Sequence, residues 1–189
     1  MTAVAETSAM TTEELLALPQ NGTERWLIQG QLREKPMTVR NRTHSRIMAT
    51  ITYLLVSWLL RQSEPRGLVL CGEAGCRLAR DPDTTVGIDV VYISAELALR
   101  QSDETTLIDG VPVLAGEILS PSDVLEEINE KIDHYLRAGV ALVWLIDPHD
   151  QTVTIYRPGK APELVNIHQE LVGEPHLPGF RVPVAQIFA

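Results

Sequence analysis

Two apolar runs, 111–119 and 141–146, flank a segment, 123–138, in which Leu125, Ile128, Ile132, Tyr135 and Leu136 recur at helical spacing. This succession of strand, amphipathic helix and strand constrains the chain most. So short a crossover joins two parallel, adjacent strands in the right-handed sense and lays its helix on one face of their sheet. Gly139 sits where a left-handed residue ends the helix. Ser120-Pro121-Ser122-Asp123 ends the first strand and offers capping hydroxyls and a carboxylate to the helix start.

The remaining chain supplies hairpins and a second long helix. Thr11-Thr12-Glu13-Glu14 before Leu15 and Leu16 reads as a capped short helix stopped near Pro19, and Trp26-Leu27-Ile28 with Gly30 and Leu32 as a strand and turn. Asn41 or Thr43 caps a helix whose Ile47, Ile51, Leu54, Leu55, Trp58 and Leu59 form one wide apolar face. A β-rich stretch follows over 68–78, then a turn at Asp81-Pro82-Asp83, a buried strand over 88–93 and a short helix over 94–100. Beyond the crossover, 141–146 and 152–156 form a hairpin, and short strands fall around Val165 and Val182. The pattern predicts an α/β fold, with an α+β variant as the alternative. A mixed β-sheet carries the 41–63 helix on one face and the crossover helix on the other. One domain is expected over 11–189, preceded by a disordered N-terminus over 1–10.

Composition narrows the function classes. With 16 Lys+Arg against 25 Asp+Glu the formal charge is −9, the wrong sign for a protein that coats nucleic acid non-specifically. Cys71 and Cys76 are too few for a disulfide scaffold and lack the histidines of a zinc site, so reduced, buried thiols are expected. No apolar stretch reaches the ~20 residues of a membrane span. The first ten residues lack a signal-like pattern, and a cytoplasmic location is expected. Glycine-rich phosphate loops and G-x-S-x-G elbows are absent from the sequence.

Two carboxylates interrupt apolar strands: Asp89 between Ile88 and Val90, and Glu117 between Gly116 and Ile118. Strand alternation puts Ala115, Glu117 and Leu119 on one face, so Glu117 shares a side with core residues and needs a partner. Two acids converging from neighbouring strands, ~4.8 Å apart, are hard oxygen ligands suited to Mg²⁺. Structural ion pairs with Arg or Lys are the alternative. Lys131 flanks the apolar stripe of the crossover helix and can aim at the sheet, or else pair with Glu127 four residues before it. Positive charge gathers between Arg25 and Arg46, where Arg25, Arg33, Lys35, Arg40, Arg42 and Arg46 face only Glu34. That segment is either a docking site for a polyanion or a solvated basic loop.

Taken together, Gly87-Ile88-Asp89, Glu117-Ile118-Leu119-Ser120-Pro121-Ser122, Lys131, Tyr135, Gly139-Val140, Trp144 and Asp147-Pro148 resemble the Uma-two family of restriction-endonuclease-like bacterial proteins, within the PD-(D/E)XK nuclease superfamily. The resemblance runs from Thr11 to about Tyr156. It implies a restriction-endonuclease-like core, with the acid of the P-D motif at Asp89 and the acid of the E-x-K motif at Glu117. The lysine of E-x-K would fall at Leu119, and Lys131 matches the place on the following helix where such family members carry it. His44 matches a histidine of the first long helix. Ile88 stands in place of the P-D proline, and Trp26, Gln29 and Leu142 stand where relatives often carry acids.

These expectations amount to a Mg²⁺- (or Mn²⁺-) dependent endonuclease hydrolysing phosphodiester bonds in DNA, with RNA as a further candidate substrate. Asp89, Glu117 and the Ile118 carbonyl are expected to hold the metal, Lys131 to orient or activate the attacking water, and His44, Arg40, Arg42 and Arg46 to contact substrate. A homodimer is expected from the resemblance. The alternatives are a non-catalytic nucleic-acid or protein binding module on the same fold, and a metal-dependent hydrolase of another anionic substrate.

Overall fold

A computed structural model describes residues 9–37, 41–102, 106–121 and 123–189. Helix α1 (Thr12–Ala17) opens on a capping box in which the Thr11 and Glu14 side chains satisfy each other's backbone amides. A hairpin of β1 (Thr23–Ile28) and β2 (Gln31–Pro36) turns through Gln29 and Gly30, both at positive φ. Helix α2 (Arg42–Leu59) starts at Asn41, whose side chain accepts the His44 amide. Then follow β3 (Leu68–Ala79), β4 (Thr84–Ile93), α3 (Ala95–Leu99) and the short β5 (Ile108–Asp109). The crossover is β6 (Leu114–Ile118), α4 (Leu125–Ala138) and β7 (Leu142–Asp147), and the chain closes with β8 (Thr152–Tyr156), β9 (Glu163–Asn166), β10 (Glu170–Val172), β11 (Arg181–Pro183) and α5 (Ala185–Phe188).

The main sheet runs β2-β1-β4-β6-β7-β8-β9, with β3 beside β4 and β5 beside β3, and among the described residues only β6–β7 and β3–β5 are parallel. This is the mixed sheet expected. Ile47, Ile51, Leu55 and Trp58 of α2 pack on one face with Leu114, Ile118, Leu142 and Trp144. Ile132 and Tyr135 of α4 pack on the other face with Ala115, Val143, Val91 and Ile88. The two helices therefore cover opposite faces.

Strand β4 positions the site. It lies along β3 on one edge, while its other edge is shared: Thr85 pairs with Leu27 of β1, and Val90, Val91 and Tyr92 pair with β6. Asp89 falls between these two neighbours, where the sheet opens. The alternation of β4 also slips there, because Val86 and Ile88 share a cluster with Val91 and Ile93. On β3 the register shifts between Cys71 and Ala74, with Gly72 and Glu73 at positive φ.

Several sequence expectations need adjusting. The 111–119 strand shortens to β6, because Pro112 has no amide to donate to a ladder and 111–113 stay outside the strand. The 88–93 strand lengthens to begin at Thr84. Asp123 does not cap α4: its carboxylate accepts the Ser120 amide, 2.8 Å away, and Val124 takes the N-cap place without a side-chain bond. Ser122 lies outside the described residues. Cys76 is buried as expected, whereas Cys71 is exposed at the irregular part of β3.

Candidate active site

Asp89 is 3% exposed, and its charge is held by two donors. Oδ2 accepts the Ile118 amide at 2.9 Å and faces His44 Nε2 at 3.1 Å, so that nitrogen carries the proton. Oδ1 is buried with no hydrogen-bond partner among the described residues, as is His44 Nδ1. Glu117 is engaged from α4: Lys131 Nζ donates to Oε2 at 2.9 Å and the Tyr135 hydroxyl to Oε1 at 2.5 Å. Lys131 and Tyr135 lie one helical turn apart, which sets both over the same strand end.

Burial pushes the Glu117 carboxyl above its ordinary range, and the nearby Asp89 charge adds to this, while Lys131 and the Tyr135 hydroxyl offset it in part. Burial also presses Asp89 upward, but the bond and charge of His44, the Ile118 amide and Lys131 together outweigh it and hold this carboxyl below its ordinary range. Burial beside the Glu117 carboxylate raises the Tyr135 phenol well above its usual value, so it remains a donor. The two acids are thus driven in opposite directions, the condition that lets one stay ionised while its neighbour exchanges a proton.

Both acids, Ile118 and Lys131 line a cleft of about 610 Å³. One wall is α1 with the β1–β2 hairpin, the other is the first half of α4. The structure therefore brings Asp89, Glu117, Ile118 and Lys131 together at one cavity, with His44 buried behind Asp89 rather than presented to solvent. The expected substrate-binding arginines are dispersed. Arg42 is exposed at the start of α2, Arg46 reaches the carbonyls of Phe188 and Ala189 and not the cleft, and Arg40 lies outside the described residues. From the basic segment Arg25, Arg33 and Lys35 do line the cleft, but each meets a carboxylate: Glu34 at 2.7 Å, Glu130 at 3.2 Å and Glu24 at 3.4 Å.

In the sequence Tyr135 belongs to the apolar stripe and to the motif that carries the resemblance, and neither assigns a task to its hydroxyl. Its position four residues after Lys131 was the available signal for a shared target. Glu73 was not singled out, yet it lines the cleft, and a Cβ at Gly87 would meet its Oε2 at 2.7 Å. Gly87 thus makes room for an additional carboxylate. Of the positions where relatives often carry acids, Trp26 lines the cleft, Gln29 sits in the β1–β2 turn, and Leu142 is fully buried in the core.

A splayed mixed sheet that presents two carboxylates at one cleft, with helices on both faces, belongs to the restriction-endonuclease-like class. The fold aligns with a crystal structure titled as "a putative nuclease belonging to DUF820" from Anabaena variabilis, at a TM-score of 0.77 and 22% identity over 95% of this chain and 97% of that one. The chain belongs to the Uma2 family, described as "Putative restriction endonuclease", whose model matches residues 12–185. No curated protein matches the sequence. Among the described residues no helix is long and apolar enough to cross a membrane.

Proposed function

We propose that this protein is a Mg²⁺-dependent endonuclease that hydrolyses phosphodiester bonds in DNA at the Asp89–Glu117–Lys131 corner of the cleft. The observation that carries the reading is the convergence of two buried carboxylates and a lysine at one cavity, with one oxygen of Asp89 left without a hydrogen-bond partner among the described residues. The donor set fits a hard divalent cation. Asp89, Glu117 and the Ile118 carbonyl would hold it, the third ligand being main chain because no group of three or more His, Cys, Asp or Glu side chains gathers among the described residues. When bound, such an ion supplies Lewis acidity and a water that ionises near neutral pH.

The chain's own residues have separate tasks in this reading. His44 and the Ile118 amide fix the Asp89 carboxylate in orientation, and Tyr135 does the same for Glu117. Lys131 places a positive charge where a scissile phosphate gains negative charge, an electrostatic effect that is strong in a water-poor corner. Dimerisation enters the reading only for duplex cleavage, where two strands need two centres. The nine-stranded main sheet and the family match over 12–185 support one domain over 11–189, working in the cytoplasm.

A non-catalytic binding module on the same fold is the second reading, favoured by one observation: both Glu117 oxygens are already engaged by protein donors. Cleavage assays on plasmid and oligonucleotide DNA with Mg²⁺ or Mn²⁺ separate the two. The nuclease reading predicts that Asp89→Asn and Glu117→Gln each lower cleavage by about 100-fold or more. Unchanged cleavage by either variant, or no cleavage by the native protein with either ion, contradicts it.

A further inference from the structure

We infer that the cleft takes one unpaired nucleotide at a time, with its base stacked on Trp26, so that the substrate is a single strand or an unpaired segment and not an intact duplex. The inference rests on the nuclease reading and narrows its substrate. It starts from the shape of the cavity. About 610 Å³ lies in the range of pockets that enclose a small molecule, roughly 300–1,000 Å³, and suits a nucleotide drawn out of its stack.

Charge is the second consideration. A duplex is gripped chiefly by cations that displace its counterions. Among the described residues, lining carboxylates outnumber lining cations by seven to four, and those four cations are already bound: Arg25 to Glu34, Arg33 to Glu130, Lys35 to Glu24 and Lys131 to Glu117. Little free positive charge is left among the described residues for two phosphate backbones.

The cleft offers apolar surface instead. Leu16, Met37 and Val124 are 55%, 65% and 48% exposed at its mouth, and Trp26 and Ile128 lie within. Exposed apolar groups gathered at a cavity mark a binding surface. Half-buried Trp26 is steadied from one side by Lys35, whose Nζ is 5.6 Å from the ring centroid. Stacking on such a ring tolerates any base and needs no net positive charge.

Position agrees with this use. Trp26 precedes Leu27, which pairs with Thr85, so it lies beside Val86, three residues before Asp89. Strand rise puts that separation at about 10 Å. A base on Trp26 and a phosphate at the Asp89–Glu117 corner can therefore belong to neighbouring nucleotides of one strand. Of the three tryptophans, Trp58 and Trp144 are buried at 2% and 0% exposure in the other cluster, which leaves Trp26 as the ring a ligand in the cleft can reach.

The test uses the full chain in chelator, so that binding is read without turnover. Fluorescein-labelled oligo-dT, oligo-rU and a mixed-sequence DNA duplex of equal length are titrated by anisotropy, and tryptophan emission is followed with unlabelled strands. Expected are tighter binding of the single strands than of the duplex, quenching of tryptophan emission by the single strands, and a loss of about tenfold in single-strand affinity for Trp26→Ala, with Trp26→Phe losing less. The dT and rU arms tell deoxyribose from ribose substrates. Duplex binding as tight as single-strand binding, or Trp26→Ala and Trp26→Phe both at native affinity, overturns the inference. Cleavage of duplex and single strand at equal rates overturns it while leaving the nuclease reading intact. Trp26-dependent single-strand binding without cleavage under Mg²⁺ or Mn²⁺ sustains the inference and removes the nuclease reading.

Discussion

At the scale of single residues, what distinguishes the buried acids of this chain is the kind of partner each has. Asp89 and Glu117 border the cleft, whereas Asp83 serves the wall beside it. Its Oδ2 accepts the amide of Thr12 at 2.7 Å and the Thr12 hydroxyl at 2.5 Å, which seats α1 and so places Leu15 and Leu16 at the cleft. Burial raises the Asp83 carboxyl, but the bonds from Thr12 and Asp81 and the Arg77 charge outweigh it, leaving the group below its ordinary value of 3.8. A carboxyl depressed in the folded state binds fewer protons there than in the unfolded chain. Its stabilisation is therefore present above pH ~4 and is lost as pH falls through the folded value. Denaturant unfolding across pH should accordingly show Asp83→Asn less stable than native protein at pH 7, with the gap narrowing towards pH 2. A gap that widens on acidification contradicts this assignment.

The legibility of the site followed from how local each signal was. Asp89 and Glu117 stood out because a carboxylate inside an apolar strand is too costly to be incidental, and Lys131 followed from helix periodicity. Tyr135 is legible as a motif residue, but the task of its hydroxyl is not, since the ring belongs to the apolar stripe and the hydroxyl meets a residue on another element. Glu73 was hidden by the register shift of β3, which strand alternation cannot anticipate. Arg46 looked like part of a basic patch because its actual partners, Phe188 and Ala189, lie at the far end of the sequence.

At the scale of elements, the crossover was the most readable part because helix and strand periods change cleanly at Gly139. That residue has φ 98°, its amide donates to Leu136, and the Val140 amide donates to Tyr135. Open space surrounds the position of a Cβ there, so Gly139→Ala meets only backbone strain, about 1 kcal/mol. Gly67, just before β3, presents the opposite case. A Cβ there would lie 2.0 Å from the Ile93 carbonyl oxygen, a main-chain atom of β4 that cannot swing aside. Gly67→Ala should therefore cost roughly 3 kcal/mol and loosen the β3–β4 pair that carries Asp89. Urea midpoints for the two variants check the order; a Gly139→Ala loss larger than that of Gly67→Ala contradicts it. Element boundaries were less readable where pairing decides them, as for β4, whose start at Thr84 comes from its pairing with β3 and β1 and not from its apolar run.

At the scale of the whole molecule, one architectural fact organises the rest. Strand β4 gives one edge to both β1 and β6, and the gap between these neighbours falls at Asp89. The hairpin and α1 form one wall of the resulting cleft and α4 forms the other, with Arg33 and Glu130 meeting across it at 3.2 Å. The sequence announced the sheet but not the gap, because the sharing of an edge depends on which strands arrive there and not on any one strand's pattern. The central claim is that this gap forms a single metal-dependent centre. Crystals soaked in Mn²⁺ and measured for anomalous scattering test it most directly. The account predicts a peak in the cleft within bonding distance of Asp89 Oδ1 and a Glu117 oxygen, and its disappearance in Asp89→Asn. A cleft without such a peak at saturating Mn²⁺, or a peak that persists in Asp89→Asn, would contradict the account.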